Sequence, residues 1–174
     1  MQISKSGKNI VLNSQENSVS LEISKVEDNL LIEVTHDGKV DKIERPGEFE
    51  IGGVEIVGKE LGREVKTGYI NGVFFDIDSV KVIYIQVASE EVYEWVKTLP
   101  FVDLLVVSFT ENLKDASNKI DPSKVILFGV ELDDAGVKKM GVNEVTKAKQ
   151  FKFKETDFDQ TEDENAIAEV LSLS

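Results

Sequence analysis

The sequence predicts an α/β domain, either a mixed sheet or a β-sandwich with flanking helices. Three observations lead there. Short alternating or continuous apolar runs of strand length dominate the chain, and the few helical patterns are short. The first half reads as a β-meander, whereas the second half alternates helix and strand. The whole spans 174 residues with three prolines and no Ser/Gly-rich linker, which favours a single domain over residues 1–174 with a sizeable core.

Residues 19–23 and 30–35 are apolar-rich runs joined by a polar connection at 25–29, the pattern of a hairpin. After Pro46-Gly47 come strands at 49–51 and 54–57, turning at Gly52-Gly53, because glycine accepts positive φ at little cost. Residues 59–68 are charged and glycine-spaced and are expected as an exposed loop. Strands at 73–77 and 80–87 turn at Asp78-Ser79. Ser89 is placed as a helix N-cap, with Glu90 and Glu91 in the first turn. Val92, Val96 and Leu99 then form one apolar stripe, and Pro100 ends the helix. Runs 104–107 and 125–128 are continuously apolar, as strands covered on both faces are. A helix is expected at 133–140 with Gly141 as C-cap. A strand near 151–153, an acidic segment at 155–164 and an apolar stretch at 166–173 complete the chain.

Composition narrows the function. The formal net charge is −13, from 33 acidic and 20 basic residues. A field of that sign repels phosphate backbones and anionic membrane surfaces, so neither nucleic acid nor membrane is the expected partner. No apolar run approaches the roughly 20 residues needed to cross a bilayer, and Met1-Gln2-Ile3-Ser4-Lys5 lacks the apolar core of a signal peptide. A cytoplasmic location is expected. There is no cysteine and one histidine, His36. Thiolate zinc sites, iron–sulfur clusters and a cysteine nucleophile are therefore excluded. Catalytic zinc normally takes two or three imidazoles, which this chain cannot supply, so no transition-metal cofactor is expected.

The most distinctive segment is Arg45-Pro46-Gly47-Glu48-Phe49-Glu50-Ile51-Gly52-Gly53-Val54-Glu55-Ile56. It resembles the Pro-Gly-Glu-(Tyr/Phe)-Glu turn and strand of small metallo-β-lactamase-fold proteins, a group of zinc-dependent hydrolases similar to the ascorbate-phosphate lactonases. Other segments follow that family's order. Phe101-Val102-Asp103-Leu104-Leu105-Val106-Val107 is similar to its Asp-Val-Asp-Val-Leu-Leu strand. Pro122-Ser123-Lys124-Val125-Ile126-Leu127 is similar to the strand before its last histidine ligand.

The resemblance implies an αββα four-layer sandwich of two mixed sheets with helices outside, in trimmed form. It also matches Thr35 to Lys42 with the family's His-x-His-x-Asp-His ligand loop, making His36, Asp37 and Asp41 a vestigial site loop. Gly38 and Lys42, or Asp41 on the other alignment, stand where histidines would be, Gln86-Val87 replaces the bridging Gly-Asp, and Gly129 falls near the last histidine. Pro46, Gly47 and Glu48 are taken as a structural motif, with Gly47 at positive φ. The implied function is a metal-free, inactive member serving as a binding or assembly module for a protein partner or a second copy. The alternatives are a hydrolase remodelled around His36, Asp37 and Asp41, or a small-ligand sensor using the vacated cleft.

Other features have plainer readings beside the functional ones. Asp76 and Asp78 could pair for acid–base work, but with Ser79 they suit a hairpin turn. Tyr93 and Trp95 could mark a protein contact, with core or edge packing the plainer reading of Trp95. Asp157, Asp159, Asp163 and Glu164 lack the glycine and spacing of a calcium loop.

Overall fold

The computed structural model describes residues 1–61, 68–130, 145–158 and 169–173. The helix expected at 133–140 lies outside them, as do Asp159, Asp163, Glu164 and most of the expected loop at 59–68.

Two sheets face each other. The first runs in the order β13-β1-β2-β3-β4-β5 and is antiparallel throughout. Its strands are β1 (Gln2–Ser6), β2 (Asn9–Asn13), β3 (Ser20–Val26), β4 (Asn29–His36), β5 (Lys39–Ile43) and β13 (Gln150–Lys152). The second is mixed, in the order β12-β14-β11-β10-β9-β8-β7-β6. It contains β6 (Gly47–Ile51), β7 (Val54–Lys59), β8 (Gly72–Ile77), β9 (Val80–Ile85), β10 (Leu104–Val107), β11 (Lys124–Phe128), β12 (Thr146–Ala148) and β14 (Glu169–Leu173). β6 to β9 form an antiparallel meander, and β9, β10, β11, β14 and β12 run parallel.

Period-two alternation builds the layer between the sheets. Leu30, Ile32 and Val34 of β4 and Leu21 and Ile23 of β3 point inward, against Phe75 and Ile77 of β8 and Val106 of β10. The outer face of the second sheet carries a second apolar layer. Phe74, Ile83, Leu105 and Leu127 meet α1 (Glu90–Val96) and α2 (Leu113–Ile120) there. β10 and β11 are thus sealed on both faces, as their continuous apolar runs require. Tyr93 and Trp95 are both buried in this helical layer, which agrees with the packing reading of Trp95 and corrects the contact reading of Tyr93. Ser89 caps α1 by accepting from the Val92 amide at 3.4 Å.

Both described α-helices lie on the eight-stranded sheet. Among the described residues no helix covers the outer face of the six-stranded sheet, and none is long and apolar enough to cross a membrane. The expected sandwich with flanking helices is present, with its described helical layer on one side.

Gly47 requires a correction. Its φ is not positive; the left-handed glycines of this hairpin are Gly52 (φ 60°) and Gly53 (φ 79°). Positive φ at both central positions makes this a type I′ turn, whose twist matches that of the flanking strands. Gly52 carries a further demand, since a Cβ there would stand 2.6 Å from Val19 Cγ2 and 3.2 Å from His36 Cβ. Gly52→Ala is therefore expected to lower unfolding free energy by about 1–3 kcal/mol. Gly47→Ala, which meets only the Phe49 ring, should cost less. Chemical denaturation of both variants checks the order.

Candidate functional site

Strand direction divides the sandwich into two ends. The β6–β7 turn at Gly52-Gly53 and the β8–β9 turn at Asp78-Ser79 share one end, because Glu55 pairs with Asp76. His36 lies there too, over Gly52. The parallel strands β9, β10 and β11 start at this end and run away from it, so Gln86, Ser108 and Gly129 sit at the other. Six residues of β9 separate the two ends, about 17 Å of strand.

This arrangement settles the location of each sequence-predicted site residue. The segment matched to a ligand loop is a tight hairpin: β4 ends at His36, Asp37 (φ 47°) and Gly38 (φ 72°) turn, and β5 begins at Lys39. His36 continues the inward row of Leu30, Ile32 and Val34, at the mouth between the sheets. Its Nε2 lies 2.8 Å from Asp41 Oδ2 and its Nδ1 4.0 Å from Asp37 Oδ2. Asp41 is half-exposed and Asp37 projects into solvent. Lys42 is turned to the outer face, in an ion pair with Glu33 at 2.5 Å. The hairpin brings His36 and Asp41 together. It does not bring them near Gln86 and Gly129, which the resemblance had grouped with them. Pro46 and Gly47 lead into β6 at its far end, where Gly47 pairs with Gly58, and Glu48 contributes one exposed carboxylate.

The far end holds polar groups of a different kind. The buried Asn71 amide donates to the Leu61 carbonyl and accepts from the Leu61 amide at 2.7 Å. Gln86 Nε2 is buried without a hydrogen-bond partner among the described residues. An amide N–H is a donor and offers no electron pair to a cation.

Metal fit can be tested on the donors themselves. Among the described residues no three His, Asp or Glu side chains gather in a group able to hold a metal ion. The chain's single imidazole is taken by Asp41. These residues do not fit a catalytic zinc ion, which needs several imidazoles converging on an open position.

The turn end instead carries an open, acidic cleft of about 600 Å³. Its walls include Glu16, Glu48, Glu50, Glu55, Asp76 and Asp78. Sequence reasoning did not foresee this clustering, because the carboxylates come from three strands and two loops. The signal was the register implied by the two tight turns. Glu50 faces Glu55, Glu55 faces Asp76 and Asp76 faces Lys81 on successive strands. Like charges directly opposite one another destabilise a sheet. Lys81 Nζ, 3.9 Å from Asp76 Oδ2, offsets only the last of them.

Asp76 and Asp78 are not an acid–base pair. Asp76 belongs to the carboxylate row, whereas Asp78 occupies the turn at φ 53° and is 4% exposed. Its carboxylate accepts from Ser14 Oγ, from the Gln15 amide at 2.8 Å and from the buried Met1 amino nitrogen at 2.9 Å. Met1 also donates to the Phe153 carbonyl at 2.9 Å, so this clamp ties the first strand of one sheet to a turn of the other.

Comparison with known proteins bears on the architecture. One solved structure covers 98% of this chain and 97% of its own, with a TM-score of 0.63. It is a Thermotoga maritima protein, named as a proposed Zn-dependent hydrolase of the metallo-beta-lactamase superfamily. The fold is metallo-β-lactamase-like. Identity to that protein is 13%, so the likeness concerns fold and leaves function to the site. No protein-family model matches the sequence, and no curated protein does.

Burial pushes the Asp78 carboxyl up. The hydrogen bonds from Ser14 and Gln15, together with the Met1 amino group, outweigh burial and hold it below the usual carboxylate range. A folded-state value below the unfolded one stabilises the fold above about pH 4, and that contribution is lost as pH falls through the folded value. Asp78→Asn should cost about 3–5 kcal/mol at neutral pH, since it leaves a buried amino group without its countercharge. The variant's stability should also fall less steeply than the parent's below about pH 4. Urea titrations across the acid range check both outcomes.

Proposed function

We propose that this chain is a metal-free, catalytically inactive protein of metallo-β-lactamase-like fold that serves as a binding or assembly module. One observation supports the reading: the positions that the resemblance matches to metal ligands are divided between opposite ends of the sandwich. His36 and Asp41 stand at the turn end; Gln86 and Gly129 stand at the other. Ligands separated by the length of a strand cannot share one ion, whose bonds reach about 2.0–2.3 Å. A bound water cannot then be activated as zinc hydroxide.

Donor chemistry supports the same reading. The whole chain supplies one imidazole and no thiolate, and carboxylates alone favour harder ions that keep their water. The acidic cleft favours a role in binding, because like-charge pairs that weaken a sheet persist where a partner offsets them.

Protein purified without added metal should contain zinc far below stoichiometry, and EDTA should leave its melting temperature unmoved. Lactones, phosphodiesters and β-lactams should not be hydrolysed. Stoichiometric zinc by mass spectrometry, with a melting temperature that drops on chelation, would overturn the reading.

A further inference from the structure

Among the described residues β6 is the outermost strand of the eight-stranded sheet. A two-residue turn makes Ile51 and Val54 its closing hydrogen-bonded pair. Alternation then directs the main chain of Gly47, Phe49 and Ile51 toward β7. The amide and carbonyl groups of Glu48 and Glu50 point outward, away from the sheet. Such a row of open groups is a template for another strand, and proteins usually blunt it with lysine, proline or a bulge.

The two neighbouring edges are treated differently. β5, the edge of the six-stranded sheet, carries Lys39 and Lys42. β6 has neither lysine nor proline within its span, and Pro46 stands just ahead of it. Its outer-face side chains are Glu48 and Glu50, and the carboxylate row continues inward through Glu55 and Asp76. Its inner-face side chains, Phe49 and Ile51, are half-buried apolar groups at the rim of the core.

We propose that the β6 edge docks an extended basic segment of a partner protein, added as a further strand of the eight-stranded sheet. Strand addition supplies main-chain hydrogen bonds for affinity and alternate side chains for specificity. A segment alternating cationic and apolar residues would set its cations beside Glu48 and Glu50. Its apolar residues would extend the half-buried rim at Phe49 and Ile51. A second copy of this chain is the poorer occupant, because β6 against β6 places glutamates against glutamates in a protein of net charge −13. The proposal deepens the binding-module reading and rests on it.

The test titrates the full chain with a labelled peptide of alternating lysine and valine, read by fluorescence anisotropy. A glutamate–valine peptide serves as control. Glu50→Gln removes one charge, whereas Glu50→Pro removes that charge and the outward N–H at a position where an edge strand tolerates proline. The lysine peptide should bind, more weakly at high salt, and the glutamate peptide should not. Glu50→Pro should weaken binding about tenfold or more, and Glu50→Gln clearly less. If Glu50→Pro fails to fold, exchange of the Glu48 and Glu50 amides in the parent protein decides, with protection by the lysine peptide expected. Equal losses at Gln and Pro, or amides left unprotected, would mean diffuse ionic adsorption and overturn the proposal. So would absence of binding, or a concentration-dependent dimer of the protein alone that Glu50→Pro abolishes. Zinc content of the same preparation tests the metal-free reading separately, so either idea can fail alone.

Discussion

The turn end of the sandwich depends on a glycine having no side chain. At Gly52 the β6–β7 hairpin passes so close under Val19 and His36 that a methyl group would collide with both. That approach fixes the hairpin of one sheet against β4 of the other. It also fixes where His36 stands, how the carboxylates of β6 and β7 line up, and which end of the fold the cleft opens on. Close by, the Asp78 carboxylate gathers Ser14, Gln15 and the Met1 amino nitrogen. Two contacts of different character, one steric and one electrostatic, thus hold the sheets in register at the same end. A close-packed interior transmits such constraints, because neighbouring side chains have little room to yield.

The consequence for function is geometric. A metal centre needs donors that converge, and convergence is set by the direction in which each strand runs. The short β3–β4 connection, with Glu27 at φ 56°, returns β4 antiparallel to β3. β4 consequently delivers His36 to the turn end, whereas β9, β10 and β11 deliver Gln86, Ser108 and Gly129 to the other. The acidic cleft opens at the end where the single imidazole lies, and the β6 edge leads up to it.

Much of the framework was legible in the sequence, for identifiable reasons. β3, β4 and the β6–β9 meander announce themselves through period-two alternation and through Gly52-Gly53 and Asp78-Ser79. β10 and β11 are apolar on both faces, so their runs are unbroken. Three kinds of element escaped. β1 turns one apolar residue inward, Ile3, and β2 turns two, Ile10 and Leu12, in runs too short to stand out as strands. α2 packs only through Leu113, Ala116 and Ile120, between flanking residues in left-handed conformations. β5 is exposed except at Ile43, so nothing in its residues distinguishes a strand from a loop. The candidate site was less legible still. A resemblance aligns residues in linear order, and linear order does not say whether a strand returns parallel or antiparallel. The carboxylate row likewise arises from cross-strand register, which no single segment contains.

His36 belongs to a hairpin with Asp41, and on the proposed reading it shares no ion with Gln86 or Gly129. Its imidazole is the only one present, so its ring signals can be followed by NMR without assignment ambiguity. The decisive measurement is a titration of the protein with zinc at neutral pH, watching those signals. The account predicts that they stay in place through one equivalent and move, if at all, only gradually with excess metal. A shift that saturates at one equivalent, accompanied by changes at Gln86 and Gly129, would contradict it.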